Sequence, residues 1–356
     1  MIPSTPELTL ALSLISLLCW GCWAATQKLA KGYRYELYYI DFALALVAGA
    51  AVAAFTLGMV DVNIPHYEGP VFTLIDNLMT TGKKNIAFAF GAGLVFNLAN
   101  MLLVAAISVA GMATSFPISF GLSLIIAVTI NYIRLHSGSP LALFGGAFVI
   151  LAAVIASAVA TALRGGSAPP APAPGMRPGA RLQQRNTGPT PLQGILLSVG
   201  SGLLMAAVQP LLRLSQAGEP EMQLSPYAVA LCLAAGVLIT SPVYCLVLMR
   251  IPVAGEELSL SHYFAARWSK HVLGFCGGLL WTCGLLAALA AHSAPAAAAV
   301  SAPLAPILAS AFPVLAMLVG LFVFGEFKTA KGGAIATIFA ALLLYVAGVA
   351  VIGFGG

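Results

Sequence analysis

The feature that most constrains this chain is a series of apolar stretches, each about 20 residues long, that follow one another almost without interruption. About 20 helical residues cross a hydrocarbon core, and inside it every backbone N–H and C=O must be paired within the protein. Ten such stretches are readable, at 8–27, 37–59, 86–109, 112–133, 141–163, 192–213, 226–249, 271–291, 299–325 and 329–353. Charged residues make up 8% of the chain, against about 25% in soluble domains, so an ordinary water-facing surface is excluded. The expected fold is all-α, a polytopic membrane protein of ten transmembrane helices. The narrowest separations are the short Gly, Ser and Pro interruptions at 110–111 and 292–295. The first stretch lacks a basic n-region and outruns an h-region, so it is expected to be a retained span.

Basic residues set the orientation. Twelve of the 16 Lys and Arg fall in odd-numbered loops: Lys28, Lys31, Arg34, Arg164, Arg177, Arg181, Arg185, Arg250, Arg267, Lys270, Lys328 and Lys331. Four, Lys83, Lys84, Arg134 and Arg213, fall on the other face. Positive loops stay inside, which places both termini outside and the central loop in the cytoplasm of a plasma (inner) membrane protein. The net charge of +5 then needs no nucleic-acid partner. All six cysteines lie in spans, and Cys19 and Cys22 read as small apolar side chains despite their C-x-x-C spacing. The five histidines sit at span ends or in loops without a ligand pattern, so no metal, disulfide or cofactor is expected.

Residues 164–190, RGGSAPPAPAPGMRPGARLQQRNTGPT, have nothing to bury and are expected to form a flexible cytoplasmic linker. They separate a first five-span repeat, 1–163, from a second, 191–356. The halves echo each other. Ala24-Ala25-Thr26-Gln27 meets Ala206-Ala207-Val208-Gln209, and ALALVAG at 43–49 meets ALCLAAG at 230–236. FGAGLVFNLA at 90–99 aligns with FCGGLLWTCG at 275–284, and Ser115-Phe116-Pro117 with Ser301-Ala302-Pro303. An odd number of spans per repeat inverts the second half, the architecture of secondary transporters that rock about a midplane site.

Polar residues inside the spans are the candidates for that site. Asn97 and Asn100 share a helical face, and buried amides in lipid need a partner helix or a cavity. They read either as glue between helices or as solute contacts. Solute contact gains from the repeat, which sets Trp281-Thr282 where the first half has Phe96-Asn97. Trp20, Trp23 and Gln27 share a face of the first span, with an aromatic belt as the bland alternative; Gln209 is the mate of Gln27 and precedes Pro210. Pro117, Pro303, Pro306 and Pro313 read as structural more than ligand-binding. Asp41 is the deepest carboxylate and the candidate proton carrier, with pairing to Lys28 or Arg34 as the alternative. Glu326 reads as an end cap beside Lys328. The small-residue patterns at 157–162 and 296–305 suit close helix packing or a homodimer face.

With Gly91-Ala92-Gly93…Asn100, Gly111…Asn131-Tyr132 and Phe324-Gly325-Glu326 in hand, the chain resembles the drug/metabolite transporter superfamily. Within it, the nearest likeness is to the ureide permeases, with the glucose/ribose porters and the rhamnose–proton symporter as relatives. The resemblance implies an outside amino terminus. Plant ureide permeases carry a phosphate-loop-like motif in a long central loop; the loop here has no G-x-x-x-x-G-K-[ST], so nucleotide control is not expected.

The expected function is a secondary transporter importing a small neutral polar solute by proton symport. Span centres without charge cannot hold an ion, whereas Asn and Gln suit urea-like groups. Sugar hydroxyls are the alternative substrate. Export of lipophilic or cationic drugs would need a deep carboxylate that is lacking, and an intramembrane enzyme would need paired catalytic groups within the spans.

Overall fold

The computed structural model describes residues 3–59, 73–164, 190–218, 223–294 and 304–355. The described residues hold helices α1 (Pro6–Cys22), α2 (Ala25–Leu29), α3 (Tyr35–Thr56), α4 (Leu74–Thr80), α5 (Lys83–Ala110), α6 (Met112–Leu135) and α7 (Pro140–Arg164). After the central segment come α8 (Pro191–Ser215), α9 (Pro226–Arg250), α10 (Leu260–Phe264), α11 (Trp268–His292), α12 (Leu304–Ser310), α13 (Phe312–Leu318) and α14 (Gly332–Gly355). Among the described residues, nine helices are long and apolar enough to cross a membrane, with Phe312–Val323 a shorter apolar helix. The chain is a multi-pass membrane protein. The linker 165–189, the small-residue pattern 296–303 and Ser301-Ala302-Pro303 lie outside the described residues.

Helix starts follow local chemistry. Thr5, Thr190 and Ser225 cap α1, α8 and α9, each followed at once by a proline whose missing N–H costs nothing in a first turn. Between α5 and α6 the chain turns at Gly111 with φ +91°, a conformation that side chains resist.

Two spans expected to be continuous are broken. The first is interrupted at Trp23-Ala24, where the Thr26 hydroxyl caps the Trp23 carbonyl at 2.7 Å. The ninth breaks at Ala311, two residues before Pro313, which lacks the N–H that would continue the ladder. It then widens into a π-turn at Val319–Val323 before Gly325, at φ +59°, delivers Glu326. Short α4 and α10, at opposite ends of the bundle, were not expected from the sequence.

Packing interleaves the halves. α5 lies against α8 and α9; α11 against α1 and α3; α3 against α9; α6 against α7 and α8; and α7 against α14. α13 joins α1 to α6, and α12 touches α14. Two crossings are close. A Cβ on Gly93 would collide with the Leu233 carbonyl, and one on Gly236 would stand 2.5 Å from the Phe90 carbonyl. A Cβ on Gly278 would collide with the Phe42 carbonyl, and one on Gly49 would come within 3.3 Å of Thr282. Small residues are what allow backbones to approach this far without water-driven association. Pattern 157–162 is spent inside the chain: Ser157, Ala160 and Thr161 are buried, and Thr161 donates to Thr114 at 2.8 Å.

Candidate functional site

Halfway along the helices, aromatic side chains from several spans converge. The Phe96 and Trp281 ring centres are 4.2 Å apart, Trp20 and Trp281 are 6.2 Å apart, and the Trp20 indole donates to the Trp281 carbonyl at 3.2 Å. Phe312, beside the break in the ninth span, stands edge-on to Trp20 at 5.6 Å and to Phe120 at 4.6 Å. Trp23 is buried between Phe42 and Phe116, at 5.0 and 6.3 Å, which removes its aromatic-belt reading. The structure therefore brings Trp20, Trp23, Phe96 and Trp281 into one aromatic cluster. It adds Phe42, Phe116, Phe120 and Phe312.

The amides divide by how fully they are satisfied. Asn97 is buried and saturated: its Nδ2 donates to Thr240 at 2.8 Å and Ser241 at 3.1 Å, and its Oδ1 accepts from Tyr39 at 2.9 Å. A carboxamide so engaged has nothing left for a ligand. Asn97 is a tie among α3, α5 and α9, which corrects its expected role as a solute contact. The buried Thr282 hydroxyl commits its hydrogen within the bundle, donating to the Gly278 carbonyl at 2.9 Å and lying 3.4 Å from that of Leu46.

Asn100 and Gln27 differ. Asn100 Nδ2 reaches the Tyr39 hydroxyl at 3.5 Å, and Gln27 Nε2 donates to the Val104 carbonyl, one turn beyond Asn100, at 2.9 Å. Their oxygens, Asn100 Oδ1 and Gln27 Oε1, are buried without a hydrogen-bond partner. The break after Trp23 orients α2 so that Gln27 turns inward. Gln209 is exposed on α8 and lies outside this gathering, so its expected role as a solute contact matching Gln27 is corrected.

One end of the bundle, here the basic end, carries the ion pairs of the described residues. Glu326, almost fully buried, accepts from the Met112 and Ala113 amides at 2.9 Å each and pairs with Lys28 at 2.9 Å. It is an end cap, but of α6, where a carboxylate meets unpaired amides and the positive dipole end. Arg164 donates to the Ala110 carbonyl at 2.8 Å and lies over the Phe327 ring.

Asp41 pairs with neither Lys28 nor Arg34. Arg34 is taken by Glu36 and the Glu256 carbonyl. Buried Asp41 instead meets His271 Nδ1 at 3.0 Å, the Tyr33 hydroxyl at 2.9 Å and the Tyr263 hydroxyl at 2.6 Å. Burial, and then the Asp41 anion, push both phenols above their ordinary range, so both stay O–H donors. His271 is the residue that sequence reading missed. It opens the first turn of α11, 230 positions from Asp41. Among the described residues no three His, Cys, Asp or Glu side chains form a metal-binding group, and all six cysteines are free thiols.

No family model matches the chain. It is similar to ureide permease 1 and ureide permease 2 of Arabidopsis thaliana, at 27% identity over 125 residues, 35% of this chain and 30% of each relative. Ureide permease 3 of the same plant is 25% identical over 126 residues, 35% of both chains. The match thus spans about a third of each relative's length. One solved crystal structure overlaps 98% of this chain and 96% of its own, at 17% identity and TM-score 0.45, a likeness that carries no argument.

Proposed function

We propose that the chain is a secondary transporter, not an enzyme, which imports a small neutral polar solute bearing N–H groups, a ureide or oxo-heterocycle, together with a proton. The observation that carries this reading is the pair of buried, unpartnered carboxamide oxygens on Gln27 and Asn100, beside an uncharged aromatic wall. Each such orphan costs about 1–3 kcal/mol. A solute that donates N–H returns both bonds, and the flat rings favour a planar heterocycle over a sugar. The likeness to ureide permeases points the same way. Trp20, Trp23, Phe96 and Trp281 shape the wall, Asn97 and Thr282 hold the helices that carry it, and Asp41 belongs to the proton path.

An inverted repeat of ten spans supports alternating access. α1–α2 is span one, then α3, α5, α6, α7, α8, α9 and α11; α12, α13 and the π-turn form span nine, and α14 span ten. Exchanging each span with the one five places on turns the principal packing pairs into one another: one–eight into six–three, two–eight into seven–three, four–six into nine–one. Spans two–seven, four–nine and five–ten pack on their own mates. Both close glycine crossings join segments that the repeat aligns, Gly93 with Gly278 and Gly49 with Gly236. Phe96 touches its mate Trp281, and two mates can touch only near the axis that relates them. The site lies on that axis, where a transporter presents it to each side in turn.

The basic end is read as cytoplasmic, with both termini outside in the plasma (inner) membrane. A protease-sensitive tag at position 175 is then shielded in intact cells; digestion there would reverse the orientation. For the site, Asn100→Leu and Gln27→Leu are expected to abolish uptake of allantoin or uracil while the protein is still made and inserted. Unchanged uptake by both variants would remove the carboxamide oxygens from the solute site.

A further inference from the structure

We propose that the coupled proton is held by the Asp41–His271 pair and sits on His271 Nε2, with Asp41 remaining an anion throughout. This rests on the transporter reading above and names its coupling site.

Three donors converge on the Asp41 carboxylate. Tyr263 donates to Oδ1 at 2.6 Å and Tyr33 to Oδ2 at 2.9 Å, while His271 Nδ1 stands 3.1 and 3.0 Å from the two oxygens. An imidazole nitrogen that close to a carboxylate carries the hydrogen, which leaves Nε2 as the basic position. No described hydrogen bond occupies Nε2, and the His271 side chain is 14% exposed. A proton added to the carboxyl would take the one acceptor site the three donors leave and, by removing the negative charge, weaken every bond the carboxylate accepts. Added to Nε2, it breaks none and changes a singly negative pair into a neutral ion pair. Near a membrane, where an uncompensated charge is expensive, that change alters how firmly the joined helices hold together.

The helices joined are the relevant ones. Asp41 is on α3, His271 on α11 and Tyr263 on α10, and Gly274 of α11 lies so close that a Cβ there would stand 2.5 Å from Asp41 Cβ. The same turn of α3 reaches the solute site. The Tyr38 hydroxyl is 2.7 Å from that of Thr26, next to Gln27, and Tyr39 bonds Asn97 and Asn100. Other ionisable groups nearby are committed or turned away. Lys28 pairs with Glu326, Arg34 with Glu36, and His262 with Ser259; Lys270 sits over the Tyr33 ring at 5.8 Å, and the Cys276 thiol is exposed.

The test uses the purified full chain labelled with nitrogen-15 histidine, with protons as the probe. The imidazole signal that disappears in His271→Gln is expected to show its hydrogen on Nδ1 and a bare Nε2. In Asp41→Ala that preference for Nδ1 is lost, because the carboxylate that accepts its hydrogen is gone. In proteoliposomes, His271→Gln and His271→Asn lose pH-gradient-driven accumulation of allantoin while counterflow exchange continues. A His271 ring that carries its hydrogen on Nε2 instead, a tautomer unmoved by Asp41→Ala, or accumulation retained in both histidine variants would overturn the proposal. If His271 shows the stated tautomer and the histidine variants alter proton movement, but wild-type protein neither accumulates nor exchanges allantoin, uracil or xanthine, the proton site stands and the solute reading falls.

Discussion

At the basic end of the bundle stand all three ion pairs of the described residues, Lys28–Glu326, Arg34–Glu36 and His271–Asp41. At the opposite end, ties of matching position are neutral or exposed. Asn77 donates to the Gln223 carbonyl at 2.8 Å and accepts from the Ser225 amide at 2.9 Å. Arg213 reaches Asn131, in the open, at 2.8 Å. Neutral ties give way by increments. Removing one partner of a buried charge network strands the other, so such a network tends to hold or fail as a unit. On the proposed carrier reading, the basic end is the one whose fastening a proton would switch.

Substitutions can break this contrast. The largest expected effect is Glu326→Ala, which removes two amide bonds and the Lys28 partner at once; it should cost about 3–5 kcal/mol, seen as a lowered midpoint of thermal unfolding in detergent. Asn77→Ala at the opposite end should cost less, about 1–2 kcal/mol for two neutral bonds. Asn131→Ala should be smallest, below about 1 kcal/mol, because its bond to Arg213 is exposed. A ranking in which the Asn131 variant is the most damaging would dissolve the distinction between the ends.

The contrast also shows what a reader of the sequence sees. Eight spans were legible to within a few residues because hydrocarbon imposes both their length and their composition. The break at Trp23-Ala24 was not, since no proline marks it and the nearby Gly21 stays within α1; that in span nine was foreshadowed by Pro313. For the site, helical spacing put Asn97 and Asn100 on one face. Which of them is free was settled by Thr240 and Ser241, more than 140 positions away. Gln209 misled because its offset falls three residues short of the one that aligns 90–99 with 275–284, and three residues turn a helix about 300°. Leu212, at the register of that pair, is the buried residue. The Asp41–His271 contact crosses between the halves, where no local pattern reports.

The most direct measurement is the thermal shift of purified wild-type and Asn100→Leu protein with allantoin, uracil, xanthine, rhamnose, glucose and a quaternary amine. The account predicts that one of the three planar N–H donors raises the wild-type unfolding midpoint most, and that the Asn100→Leu variant loses that shift. A shift given only by the quaternary amine, or one retained in full by Asn100→Leu, would contradict an uncharged pocket that reads its solute through an amide oxygen.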